Sequence, residues 1–396
     1  MSRSPFAEIN REILLWARQT SGMNTNDAAK KISINPECLE EWESGASYPT
    51  IKQLRKLAKA YLRPLGLFFL PELPKDPESI KDFRRIHGIP DEEMSSALRF
   101  EIRLAWERRN EAIELAHDLG DELKTIDYQV SLHNDYDRIA NKLRDILAIS
   151  VKDQTRWQTK SEAFSAWRNA IERLGVLIFQ TGILRNLIVD PVEARGFSIS
   201  EQPFPVIVVN GKDHASARCF TLIHELTHIL MHDGGLCDLH NTISPSSATD
   251  RTEIFCNYVA GAVLVPASNL LGDEIVLKHG ANPEWNDFEL SNLSRRFWVS
   301  SEVILRRLLI LKRTTPEYYQ HWRDEKEDQY PGPSEAEEKR REMKIPTATR
   351  VTIRNGKLFP RLVLRSLEND LITKYEASDI LNAAPDRLMD VQYMVY

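Results

Sequence analysis

Residues Thr221–Met231 read TLIHELTHILM, and within them His224-Glu225-Leu226-Thr227-His228 forms an H-E-x-x-H pattern. In a helix advancing about 100° per residue, His224 and His228 stand about 40° apart on one face, with Glu225 on its flank. Leu222, Leu226, Ile229 and Leu230 cover the opposite side, which predicts a half-buried amphipathic helix. Imidazoles one turn apart can share a Zn²⁺ at about 2.0–2.1 Å, and a glutamate between them is placed to take a proton from water. The plainer alternative is an ordinary amphipathic helix carrying two surface histidines. The apolar context favours a metal site, and with it a zinc hydrolase.

A catalytic zinc needs a third protein ligand and an open position. His232 continues the series but lies about 12 Å along the helix axis from His224, too far to share one ion. Met231 and Gly234 occupy positions that the H-E-x-x-H-x-x-G-x-x-H pattern reserves for other residues, which excludes that class. His232 is therefore expected to line the cleft or to bond a neighbour. Downstream, RTEIFCNYVAGAVLVPAS at 251–268 predicts a second helix with Glu253, Asn257 and Ala260 on one face. Ala260-Gly261-Ala262 would let two helices approach closely. Glu253 is the leading candidate ligand, with Cys256, Cys237, Asp233, Asp238 and His240 as rivals.

These residues resemble the ImmA/IrrE-type metallo-endopeptidases. The resemblance is carried by Arg218, Phe220, Thr221, the run His224-Glu225-Leu226 with His228, and His232. It continues through Glu253, Asn257, Ala260 and the helix close at Leu264-Val265-Pro266. Upstream, Gly175-Val176 with Phe179, Arg195-Gly196-Phe197-Ser198 and Pro205–Asn210 also fit. The likeness covers roughly residues 150–320 and implies a zincin-like domain. It implies His224, His228 and Glu253 as zinc ligands and Glu225 as general base. One departure is Thr227, where the family usually has glycine; exposed on a helix, it should be harmless.

A chain of 396 residues with 42% hydrophobic content is expected to form two or three domains. No apolar run approaches the roughly 20 residues of a membrane helix, and MSRSPFAEIN lacks a signal-peptide apolar stretch. Cys38, Cys219, Cys237 and Cys256 have no framework spacing, so a reducing cytoplasm is the expected compartment. A net charge of −6 argues against a surface that coats nucleic acid.

Residues 1–70 are expected to be a bundle of short helices. Ile9–Thr20 is amphipathic, Asn24 or Thr25 caps a helix running to Ile32, and Asn35-Pro36 opens a third ending at Gly45. Pro49-Thr50 opens a fourth. Ala28-Ala29, Leu39, Trp42-Glu43, Gly45, Pro49, Leu54 and Leu57-Ala58 resemble a Cro/CI-type (XRE) helix-turn-helix domain. The charge disagrees with DNA binding: residues 1–70 hold ten Lys/Arg and seven Asp/Glu, a net of +3. The recognition helix of such a domain would read NPECLEEWESG, with four glutamates and no basic residue. A phosphate-lined groove repels that surface. Lys30, Lys31, Lys52 and Lys56 are the residues left to touch a DNA backbone; protein contact is the competing reading.

Residues 71–160 read as a connector and helical scaffold, with PELPKDPES proline-rich and the pattern from Met94 to Ala148 long, charged and helical. Val176–Phe179 and Pro205–Asn210 predict a small sheet beside the metal helices, so residues 161–325 form the peptidase-like domain. An open edge on the Pro205–Asn210 strand would hold an extended substrate, with His232 or Tyr258 assisting at the carbonyl oxygen. Arg306-Arg307 reads as a solvated face or a substrate contact. Residues 326–396 follow as a linker, Asp324–Lys344, and a small α+β appendage with Arg354-Asn355-Gly356-Lys357 as a tight turn between strands. The appendage is expected to bind a partner or form a dimer. The fold class is mainly α with a small β-sheet.

Two functions compete. One is a zinc endopeptidase cleaving a regulatory protein, such as a transcriptional repressor, in a bacterial or phage stress, mobile-element or toxin-antitoxin circuit. The other is an antitoxin-like binding protein that neutralises a toxin ribonuclease or binds DNA. A pure scaffold has no need of Glu225, which favours the first; the acidic third helix and the unmatched tail favour the second.

Overall fold

The computed structural model describes residues 6–73, 94–182, 188–232, 248–328 and 345–396. The chain divides into two compact units, Met1–Glu107 and Arg108–Tyr396.

The first unit is built from short capped helices. Helix α1 (Arg11–Thr20) starts at Asn10, whose side chain accepts from Glu12 N, and α2 (Thr25–Ile32) starts at Asn24, which accepts from Asp27 N. Helix α3 (Pro36–Ser44) begins behind Asn35 and stops at Gly45 in the left-handed region. Thr50 and Gln53 form a capping box at the start of α4 (Ile51–Tyr61). Ile13, Leu14, Ala28, Ala29, Leu39, Leu54, Leu57 and Phe68 are buried in one core. The helical spacing read from the sequence is what buries them. Helix α5 (Ser96–Asp118) runs through the division between the units.

In the second unit the long helical pattern from Met94 to Ala148 is interrupted. Gly120, at φ +69°, follows α5. An irregular segment then leads to α6 (Tyr136–Leu147), with Val130 N donating to Leu230 O on the way. After α7 (Val151–Gln154) and α8 (Lys160–Glu172) come three strands, β1 (Leu177–Gln180), β2 (Gly196–Ile199) and β3 (Val206–Val209). Their order is β1-β3-β2, with β1 parallel and β2 antiparallel to β3. The Pro205–Asn210 strand is thus the middle strand, paired on both sides, and offers no open edge. Four apolar residues in sequence, Val206-Ile207-Val208-Val209, fit that central position. The outer side of β1 is covered: Arg168 of α8 donates to Ile178 O, and the helix Thr347–Asn355 packs against the strand.

Helix α9 (Ala215–Leu230) packs on α8, β2, β3 and α10 (Ala248–Leu264). Enclosed on these sides, it is buried along both faces from Cys219 to Leu230, not half-buried as its leucine stripe suggests. Thr227 is accordingly inside, its hydroxyl donating to Ile223 O at 2.8 Å. Close approach of α10 to its neighbours does not depend on Gly261, where a Cβ would meet nothing within 4 Å. Five further helices follow, α11 (Ala267–Leu271), α12 (Glu274–His279), α13 (Asp287–Phe297), α14 (Ser301–Ile310) and α15 (Pro316–Asp328). Arg307 on α14 is neither solvated nor turned to a substrate: it is buried, bonding Val265 O and Asp137.

The last described segment holds helices Thr347–Asn355, Leu358–Glu368, Lys374–Leu381 and Leu388–Val395, and no strand. The expected α+β appendage is therefore helical. Gly356, at φ +69°, ends one helix where a hairpin turn was expected, because a helix stop uses the same Asn-Gly signal. A Cβ there would lie 1.9 Å from Glu172 Oε1, which accepts from Lys357 N and Leu358 N. Arg168 donates to Thr352 O and Ile353 O, and Phe359 meets Phe179 edge-on at 5.8 Å. The segment is docked on the sheet. The charged stretch expected as a linker overlaps the end of α15, and its residues 329–344 lie outside the described residues.

Candidate metal centre

Helices α9 and α10 bring three donors together. His224 Nε2 and His228 Nε2 are 3.0 Å apart, and Glu253 Oε2 and Oε1 lie 3.2 Å from each in turn. A tetrahedral ion with ligands at about 2.0–2.1 Å requires donors about 3.3 Å apart, close to this spacing. Among the described residues no other group of histidine, cysteine, aspartate or glutamate side chains meets such a spacing. Two nitrogens and a carboxylate form a donor set suited to a divalent transition metal. Burial pushes the Glu253 carboxyl up, but hydrogen bonds from His224 and His228 hold it down to about 2.

Of the rivals for the third position, only Cys256 falls among the described residues. Cys256 is buried and is not part of the three-donor group, while Asp233, Cys237, Asp238 and His240 lie outside the described residues. His232 follows α9 with φ +56° and its side chain is exposed. Tyr258 turns its ring edge-on to Tyr136 of α6 at 5.5 Å and is not among the three donors. Asn257 Oδ1 meets His224 Nδ1 at 3.1 Å, placed to orient the ring.

Glu225 projects into the same region and is fully buried, both carboxylate oxygens lacking a hydrogen-bond partner. Burial pushes its carboxyl up, opposed by His228, His224 and the Ser198 hydroxyl beside it. A buried, unpaired carboxylate is costly and persists where chemistry uses it. Gly196 of β2 lies alongside: a Cβ there would stand 2.5 Å from Thr221 Cγ2 and 2.8 Å from Val208 O, so the close packing of β2 on α9 and β3 requires glycine. Ser198 is marked in the sequence only by the Gly196-Phe197-Ser198 run. Arg218 bonds Gln180 Oε1 at 2.8 Å and lies over the Phe164 ring, a structural place near the start of α9.

In the first unit, Glu37, Glu40 and Glu41 of α3 are exposed, whereas Glu43 turns inward to a paired contact with Arg18 at 2.7 and 2.9 Å. Lys30 and Lys31 in the last turn of α2, and Lys52 and Lys56 on α4, are exposed, Lys56 also donating to Ile32 O at 3.4 Å.

Residues 171–309 match a family model described as the IrrE N-terminal-like domain. The radiation response metalloprotease IrrE of Deinococcus deserti is 32% identical over 113 residues, 28% of this chain and 37% of that protein. The chain thus matches little more than a third of that relative's length. Both matches support the resemblance to ImmA/IrrE peptidases, and the family match spans α9. No helix among the described residues is long and apolar enough to cross a membrane.

Proposed function

We propose that the chain is a zinc-dependent endopeptidase that cleaves a regulatory protein, such as a repressor, in the cytoplasm. The observation that carries this is the convergence of three metal-type donors beside a buried glutamate whose carboxylate makes no hydrogen bond. His224, His228 and Glu253 would hold the ion, which when bound supplies Lewis acidity toward water and a peptide carbonyl. Glu225 accepts the proton of the attacking water and passes it to the leaving amine. Asn257 keeps His224 in the tautomer that leaves Nε2 free for the ion. Since β3 is central and β1 is covered, the outer strand beside α9 is β2, and an extended substrate is best placed by main-chain pairing there.

Metal analysis of the full chain, paired with cleavage of a protein encoded beside it, tests the reading. Glu225→Gln is expected to keep the metal and lose cleavage by about 10²–10⁴-fold. Glu253→Ala is expected to lose the metal. Full metal occupancy in Glu253→Ala, or undiminished cleavage by Glu225→Gln, would overturn it.

The first unit supports a second role within the same protein. Its helix spacing resembles a Cro/CI-type helix-turn-helix, but exposed Glu37, Glu40 and Glu41 on α3 disfavour phosphate contact. We infer that this unit recognises a protein, either the substrate or a toxin partner. Sequence-specific nanomolar binding of the full chain to DNA at physiological salt would refute that assignment.

A further inference from the structure

Glu253, Cys256 and Asn257 occupy positions i, i+3 and i+4 of α10, so one face of this helix presents all three to α9. Glu253 meets both imidazoles through their Nε2 atoms, and Asn257 Oδ1 meets Nδ1 of His224. The remaining ring nitrogen, Nδ1 of His228, is buried and makes no hydrogen bond of ordinary geometry. Against that ring lies the fully buried thiol of Cys256. The thiol also points to Met231, three residues beyond His228, with Sγ donating to Sδ at 3.9 Å. Cys256 therefore lies beside both His228 and Met231.

A histidine that gives Nε2 to a cation carries its proton on Nδ1, and a buried N–H without an acceptor is costly. We propose that Cys256 is the positioning residue for His228, its sulfur receiving the Nδ1–H as Asn257 receives that of His224. This rests on the metal-site reading above. One helix then supplies a ligand and both outer partners, and the two histidines are held unequally. An amide oxygen is a good acceptor, whereas sulfur is a weak one. The His228 arm of the site is the looser of the two, and its grip on the ion is set by a side chain that is not a ligand.

The experiment uses the full chain titrated with Zn²⁺ against a chromophoric chelator, and with Co²⁺ followed by its visible spectrum. Outer partners typically contribute about 10–100-fold to metal affinity, so Asn257→Ala is expected near the upper end and Cys256→Ala near the lower. Cys256→Val, similar in bulk and without an acceptor, should weaken binding like the alanine, while Cys256→Ser should restore most of it. The cobalt spectrum of the wild type should lack a thiolate-to-cobalt charge-transfer band. Equal affinity in wild type, Cys256→Ala and Cys256→Val would overturn the proposal. A charge-transfer band that disappears in Cys256→Ala would overturn it too, by making Cys256 a ligand. Wild-type protein that binds neither ion would refute the metal-site reading itself, which separates that failure from the other two.

Discussion

Helices α9 and α3 both concentrate titratable side chains, and they treat them in opposite ways. On α9, His224, Glu225 and His228 are enclosed, and Glu225 has no hydrogen-bond partner. On α3, Glu37, Glu40 and Glu41 face water, and the one glutamate turned inward, Glu43, is neutralised by Arg18. Water screens the first set on α3 at almost no cost. Enclosure on α9 removes that screening, so each polar group there must be matched by another group or be held ready for one. The same residue type therefore means chemistry on one helix and solubility or surface contact on the other. Burial makes that distinction; composition does not.

The largest test of the contrast sets Glu225→Gln against Glu41→Gln. The first should lose cleavage by about 10²–10⁴-fold, as above, and should also stabilise the metal-free fold, since it removes a buried carboxyl that burial pushes up and that makes no hydrogen bond. The second should leave cleavage unchanged and stability within about 0.5 kcal/mol of wild type. Thermal unfolding of both variants in the presence of a chelator checks this. A lowered midpoint for Glu225→Gln would mean that the carboxylate is part of the structural core, and the contrast would fail.

Next in size is Arg168, a buried cation in the second unit that has been matched. It donates to Ile178 O, Thr352 O and Ile353 O and faces Glu172, which caps the helix Leu358–Glu368. Burial lowers its guanidinium and raises the Glu172 carboxyl, each opposed by the other's charge. Arg168→Met should cost about 3–5 kcal/mol, because it strands Glu172 and frees three carbonyls. Denaturant unfolding measures this, and a loss below about 1 kcal/mol would show that the terminal helices are held by apolar packing alone.

Glu43→Gln in the first unit should cost less, about 1.5–3 kcal/mol, the range for hydrogen bonds to charged groups. Its paired contact with Arg18 is mostly shielded, at 9% and 12% side-chain exposure, and raises the Arg18 guanidinium. If Glu43→Gln behaves like Glu41→Gln, the inward turn of Glu43 is incidental.

Much of this contrast is legible in the sequence. Asn24, Asn35, Thr50 and Gly45 mark helix ends through local hydrogen bonding, which depends on a few neighbouring residues. The H-E-x-x-H spacing fixes the two imidazoles for the same reason, and Glu253 follows from the periodicity of α10. What was not legible depends on partners distant in sequence. Arg306-Arg307 cannot announce that Asp137 and Val265 will enclose Arg307, nor Thr227 that the elements packed around α9 will bury it. Strand order was hidden as well, since the Val206–Val209 run specifies burial but not which neighbours provide it. Gly356 misled because one residue in a left-handed conformation serves both a hairpin and a helix stop.

The smallest effect belongs to an ion pair that lies in the same unit as α9 but faces water. Asp121 and Arg365 bond at 2.7 and 2.8 Å with side chains 30% and 41% exposed. The Arg365 hydrogen bond holds the Asp121 carboxyl below its ordinary range, against a smaller upward push from burial. Because the folded value is depressed, the pair stabilises the fold fully above the ordinary carboxylate range. That contribution is lost as pH falls through the depressed folded value. Solvent screening limits it to about 0–1 kcal/mol. Asp121→Asn should therefore cost at most that amount near neutrality, lose most of the difference in about 1 M salt, and converge with wild type in acid. Stability curves for the two proteins across pH measure it directly. A cost matching that of Arg168→Met would show that stabilisation in this unit follows charge pairing irrespective of exposure, and the argument from burial would not stand.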